Sequence, residues 1–178
     1  MRADANNLWR DADAAVRALQ ALQFSFCALE EPLSTGDYEG MSRLAAALHT
    51  RIILDESLLR AGQLDRLTGP ADRWIANVRI SKMGGVLRSL KLVRALRDGG
   101  FKLIIGAHVG ETSVLTRAAL TVAHSARDIL IAQEGAFGTH LLARDVADPP
   151  LMFGPRGVLD TAALSSAAPG LGLALFNV

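Results

Sequence analysis

The sequence predicts an α/β fold: an incomplete (β/α) barrel of TIM type with about six parallel strands, in which residues 1–178 form one partial-barrel domain. Three observations predict it. Short apolar, strand-like runs alternate with segments whose apolar residues recur at helical spacing, and that alternation builds a parallel sheet with right-handed crossovers. Polar residues gather just after each run, not before it, and in a parallel barrel the carboxyl-end face is where chemistry sits. Half of the residues are hydrophobic but only 5% are aromatic, which suits helices rich in Ala and Leu packed on a sheet. A closed barrel of this kind has about eight strands. The first residues already read as the end of a strand, so the chain is expected to begin inside the fold.

Taken in order, Met1–Ala3 closes on Asp4, with Asn6 behind it. Leu8–Gln23 places Leu8, Ala12, Ala15, Val16, Leu19 and Leu22 at helical spacing, and Asp11 and Asp13 favour the positive end of its dipole. Phe24–Leu29 reads as a strand that stops abruptly on Glu30, Glu31 and Pro32, with Pro32–Gly36 as a loop. A helix follows over Tyr38–Leu48, carrying Met41, Leu44, Ala45 and Leu48. Strand Arg51–Leu54 stops on Asp55-Glu56-Ser57, and a short helix is expected over Leu58–Leu67. Strand Trp74–Ser81 runs into Lys82-Met-Gly-Gly85, and helix Val86–Arg97 ends at the C-cap pair Gly99-Gly100. Strand Phe101–Ala107 ends at His108 and leads to helix Thr112–Ala126. Strand Asp128–Ala132 ends in Gln133-Glu134-Gly135. Residues 137–178 form an irregular tail rich in Gly and Pro.

The bulk numbers narrow the classes of function. A net charge of +1 carries no signature of a nucleic-acid partner or an acidic one. A single cysteine, Cys27, excludes an internal disulfide framework, and no cluster resembles a zinc site. Arg2, Asp4 and Arg10 interrupt any leader-like apolar region, and no apolar run approaches the roughly 20 residues of a membrane span. A cytoplasmic protein without membrane contact is the expectation.

Asp4, Glu30 and Asp55 stand at the same ends of three successive strands, one strand-plus-helix unit apart each time. Three carboxylates converging on one point suit a hard divalent cation, and oxygen-only ligands favour Mg²⁺ over zinc or copper. Glu31, Glu56 and Asn6 are candidates for orienting those ligands. Strand alternation puts Arg79 and Ser81 on one face, with Lys82 just beyond. Lys82 is suited to proton transfer or to neutralising the acids. Arg79 stays protonated and is better cast as a clamp for a substrate carboxylate. His108 is an acid/base candidate because imidazole titrates near neutrality. Glu111 and Thr112 also fit a helix N-terminus, and Glu134 is a further acidic candidate after the last strand. His49, His124 and His140 read as surface residues. The pairs around Gly84-Gly85 and Gly135–Gly138 suit tight strand-to-helix turns, with a phosphate cradle as the alternative.

Asp4-Ala-Asn6, Leu29-Glu-Glu-Pro32, Asp55-Glu-Ser57, Lys82-Met-Gly-Gly85, His108-Val-Gly-Glu-Thr-Ser113 and Pro169-Gly-Leu-Gly172 run nearly the full length of the chain. In order and spacing they resemble the enolase superfamily, specifically its mandelate racemase/muconate-lactonizing group. The resemblance implies Mg²⁺ held by Asp4, Glu30 and Asp55. It also implies a base that takes the proton next to a carboxylate to give an enediolate. Racemisation, dehydration or cycloisomerisation would follow, with Lys82, His108, Arg79 and Glu134 as catalytic candidates. The implied substrate is a small carboxylate of the hydroxy-acid or acid-sugar class, and the implied state is a homo-oligomer.

Two departures accompany the resemblance. Family members carry an N-terminal capping domain and early barrel strands, the second of which often bears a Lys-x-Lys pair, whereas this chain is expected to begin at the third strand. Where relatives hold a catalytic lysine or aspartate on the sixth strand, this chain has Arg79, so the racemase's aspartate–histidine dyad is broken. A second hypothesis is therefore a truncated, catalytically inactive barrel fragment that keeps the metal site or self-associates through open sheet edges. A third is a phosphate-binding barrel using the late glycine loops.

Overall fold

In the computed structural model of the protein, which describes residues 1–135, 137–162, 164 and 170–176, helices and strands alternate as the sequence predicts. Six parallel strands make one sheet: β1 (Arg2–Asp4), β2 (Ala28–Glu30), β3 (Arg51–Leu54), β4 (Trp74–Val78), β5 (Lys102–Ile105) and β6 (Leu130–Gln133). Strand order follows chain order, as βα units wound in one sense require. Pro169 of the terminal glycine motif lies outside the described residues. The chain divides into two compact units, one of Met1–Asn77 with Lys91–Ile104, the other of Val78–Leu90 with Ile105–Val178.

In the first unit, Asp4 is in register with Glu30, Glu30 with Ile53, and Ile53 with Ile75. Side chains alternate between faces along a strand, so Ala28, Ile53 and Ile75 share the face that carries Asp4 and Glu30. Ala28, Ile53, Ile75 and Ile104 form a buried cluster on that face. Leu29, Ile52, Leu54, Trp74, Ala76 and Leu103 are buried on the other. Burial on both faces explains why these strands read as continuous apolar runs.

Helix α1 (Ala12–Ala21) starts where the Asp11 carboxylate accepts the Ala14 N–H at 2.7 Å. Helix α2 (Tyr38–Leu48) starts where Asp37 accepts the Gly40 N–H at 2.9 Å, and it stops at His49 in the left-handed region. Each cap satisfies a donor the helix cannot, worth about 1 kcal/mol.

Several expected boundaries move. The first helix does not begin at Leu8, because Asn6 and Asn7 are left-handed (φ 48° and 59°) and the Leu8 N–H closes a turn on the Ala5 carbonyl. Nor is Phe24–Leu29 a strand throughout. Gln23 is left-handed, Phe24 is 47% exposed, and Phe24 and Phe26 stack edge to face at 4.8 Å, so only Ala28–Glu30 pairs. The segment after β3 forms a 3-10 helix, Ala61–Arg66.

In the second unit, the expected strand Trp74–Ser81 ends at Val78. A short helix, α3 (Ile80–Met83), takes over and buries Ile80 and Met83. Ser81 is therefore on a helical turn and not on a strand face with Arg79. Gly84 and Gly85 (φ 84° and 103°) hold left-handed conformations that cost a side chain dearly, and they turn the chain into α4 (Val86–Asp98). This is the tight-turn role expected of the pair.

Helix α5 (Ser113–Ser125) buries Ser113, Thr116, Ala118, Ala119, Val122 and Ala123. Its first amide is capped from far along the chain: the Asp145 carboxylate accepts the Ser113 N–H at 3.0 Å and the Ala147 N–H at 3.0 Å. The Ser113 hydroxyl in turn accepts the Leu151 N–H at 2.7 Å. Helix α6 (Gly138–Leu141) precedes this strap.

Candidate functional site

The strand register places the acidic candidates of the first unit at the ends of neighbouring strands. Asp4 and Glu30 are paired, Asp55 lies two residues beyond Ile53, and Asn77 lies two residues beyond Ile75. Alternation puts Asp4, Glu30 and Asn77 on the face floored by the Ala28–Ile53–Ile75–Ile104 layer, and Asp55 follows directly on the end of β3. Asp4 is exposed and its Oδ1 accepts the Asn6 N–H at 2.8 Å. Glu30 and Asp55 are buried, at 6% and 2% exposure.

Asn77 enters only with the structure. Its side chain is 1% exposed, its Nδ2 donates to Glu30 Oε1 at 2.7 Å, and its Oδ1 has no hydrogen-bond partner. A buried amide oxygen left unpaired costs about 1–3 kcal/mol, which makes it a natural acceptor for a cation or a bound water beside Glu30. The sequence does carry a signal for it. Asn77 is the one polar residue in the run Trp74–Val78.

Glu31 stands behind this row. It is fully buried and left-handed (φ 38°). Its Oε1 accepts the Asp55 and Ser57 N–H groups at 2.7 and 2.8 Å, and its Oε2 accepts the Ser57 hydroxyl at 2.7 Å. The Ser57 hydroxyl also receives the Gly36 N–H at 2.9 Å, and the Ser57 carbonyl receives the Tyr38 hydroxyl and Gln63 Nε2. The turn that presents Asp55 is thus built around one carboxylate. Glu56, by contrast, is exposed, and Asn6 meets Asp4 through its backbone N–H.

Among the described residues, no three His, Cys, Asp or Glu side chains close into a cage that would by itself hold a metal. The donor chemistry nonetheless fits a hard cation. Asp4, Glu30 and the orphaned Asn77 amide oxygen share one face, Asp55 stands at the adjoining strand end, and every donor is oxygen.

In the second unit, Arg79 is the extended residue ahead of α3, Lys82 lies within α3, and both are half-buried. Glu134 follows β6 and donates its N–H to the Ile105 carbonyl at 2.8 Å. His108 and Ser81 meet: Ser81 Oγ is 2.8 Å from His108 Nδ1 and 3.3 Å from Glu111 Oε1. Glu111 Oε1 also accepts the His108 N–H at 2.9 Å and lies 3.5 Å from Nδ1. The His108 side chain is 49% exposed while that of Glu111 is 8%. Ser81 is a partner that strand periodicity could not supply, since it reaches the histidine from a helical turn. His49, His124 and His140 are exposed.

Gly138 supports the same loop. A Cβ there would lie 2.8 Å from the Glu111 carbonyl oxygen and 2.7 Å from Met152 Cε. The methionine can yield; the backbone cannot. Gly138→Ala is expected to cost about 1–3 kcal/mol, read as a lower urea midpoint at unchanged slope.

The family model for the enolase C-terminal domain-like family matches residues 1–176. A hydrophobic dipeptide epimerase of Enterococcus faecalis is 30% identical over 140 residues, covering 78% of this chain and 39% of that protein. The crystal structure of the dipeptide epimerase from Enterococcus faecalis V583, complexed with Mg and the dipeptide L-Leu-L-Tyr, superposes with a TM-score of 0.78 at 26% identity. That match covers 97% of this chain and 47% of that one. A muconate cycloisomerase from Azorhizobium caulinodans shares the fold, with a TM-score of 0.75 at 22% identity over 98% of this chain and 47% of that one. The chain spans less than half the length of the relatives it matches.

Proposed function

The chain belongs to the enolase C-terminal domain-like family, in the mandelate racemase/muconate-lactonizing group of the enolase superfamily, and on that premise we propose that it serves Mg²⁺-dependent removal of a proton alpha to a carboxylate. The observation that carries this reading is the row Asp4, Glu30 and Asn77 on one sheet face above a buried apolar layer, with Asp55 at the end of the adjoining strand. Asp4, Glu30 and Asp55 would hold the ion, with Asn77 fixing Glu30 and Glu31 fixing the Asp55 turn. When bound, Mg²⁺ supplies positive charge where the substrate carboxylate gains negative charge. Arg79 binds that carboxylate, because a guanidinium offers a fixed fork of donors and no proton to exchange. His108 moves the alpha proton, with Lys82 and Glu134 as further polar groups of the carboxyl-end loops. The relatives' names draw the substrate toward a dipeptide or amino-acid derivative within the wider class of small carboxylates.

A second reading, a catalytically silent barrel that keeps the metal site, is favoured by Arg79 standing where the resemblance places a lysine. Incubating the full chain with Mg²⁺ in D₂O and a panel of dipeptides, N-acylamino acids and hydroxy acids separates the two. Deuterium entering the alpha position, and ceasing on chelation, is the result expected. Absence of exchange across the panel, with Mg²⁺ bound, selects the silent barrel. Size-exclusion mass then tests whether such a barrel self-associates.

A further inference from the structure

We infer that Glu111 and Ser81 hold His108 in the tautomer protonated on Nδ1, leaving Nε2 as the proton acceptor. Three distances carry this. Glu111 Oε1 accepts the His108 backbone N–H at 2.9 Å, which pins the carboxylate to the residue it serves. The same oxygen lies 3.5 Å from Nδ1. Ser81 Oγ sits between the two groups, 2.8 Å from Nδ1 and 3.3 Å from Oε1. A serine hydroxyl has one proton to give. If it donates to Glu111, Nδ1–H donates to Oγ, and the relay Nδ1–H, Oγ–H, Oε1 uses every hydrogen once. In the opposite tautomer the Nδ1 lone pair would face a carboxylate oxygen with only 8% of its side chain exposed to solvent. The Ser81 hydroxyl could meet that lone pair only by turning its one proton away from Glu111 Oε1, which would then face the ring with that hydrogen bond lost. The arrangement differs from a nucleophile triad, in which the serine meets the ring nitrogen opposite the carboxylate. Here serine and carboxylate share Nδ1, so Ser81 is a positioning residue and Nε2 is the working atom. The use of that atom on an alpha proton rests on the function proposed above; the tautomer itself does not.

Long-range ¹H–¹⁵N correlation spectra of the ¹⁵N-labelled full chain, taken above the titration range of the ring, read the two nitrogens directly. The His108 signals are assigned by their loss in His108→Asn. The expected result is a protonated-type Nδ1 shift and a bare-type Nε2 shift, with that form favoured about tenfold, the ratio one hydrogen bond to a charged group sustains. Free histidine prefers the proton on Nε2, so a bare Nδ1 in the wild-type chain overturns the inference. Glu111→Gln is expected to move the population toward that solution preference, and Glu111→Asp to restore part of it. An unchanged tautomer in folded Glu111→Gln also overturns it. Ser81→Ala, at an exposed position, supplies the same comparison should the glutamine variant unfold. Because these spectra need neither Mg²⁺ nor substrate, a wrong tautomer and a failure of alpha-proton exchange are separate results.

Discussion

Replacing Glu31 by alanine is expected to cost about 3–5 kcal/mol of stability. The side chain has no exposed surface, and its two oxygens accept three hydrogen bonds from the Asp55–Ser57 turn. Removing it leaves two backbone N–H groups and a hydroxyl facing one another in a buried site without their acceptor. Each stranded donor costs about 1–3 kcal/mol, and partial relaxation keeps the sum below simple addition. Glu31→Gln retains the volume but turns one acceptor into a donor, so an intermediate loss is expected. Urea denaturation at constant slope measures both. A loss under about 1 kcal/mol for the alanine variant would mean that Gly36, Tyr38 and Gln63 hold Ser57 without help.

Asp55→Asn is expected to lower Mg²⁺ affinity by about 100-fold or more, since even groups behind a metal's ligands are worth about 10–100-fold. The substitution preserves shape. The hydrogen bond from Asp55 to Glu31 is made by the backbone, so that contact survives the substitution while the carboxylate charge is lost. Thermal unfolding with and without Mg²⁺ gives the readout. At a hundredfold excess over its dissociation constant, Mg²⁺ stabilises the wild-type chain by about 2.7 kcal/mol, while the variant gains little at the same concentration. Equal gains in the two proteins would remove Asp55 from the site.

These expectations depend unequally on what could be read from residue order. Helix Tyr38–Leu48 and strand Arg51–Leu54 occur with the bounds their periodicity implies, because cap, apolar spacing and burial agree there. The carboxylates at strand ends were legible for the same reason: parallel strands bury both faces, so an acid after an apolar run is conspicuous. Local apolarity misled at Phe24–Cys27, where aromatic residues precede the paired segment, and at Arg79–Ser81, where a helical turn interrupts a strand-like pattern. Relations between distant positions were not legible. Asn77 reaching Glu30 and Ser81 reaching His108 follow from register and from a helical turn, which composition does not record.

The capping of α5 by Asp145 also makes the Ser113 amide a reporter. Its exchange with solvent deuterons requires residues 145–151 to detach, an opening that precedes unravelling of the helix itself. A slow Ser113 amide would mark a tail that folds with the barrel as one cooperative unit. A fast one beside slow Val122 and Ala123 would mark a strap that opens on its own, and a protease would find residues 145–151 first.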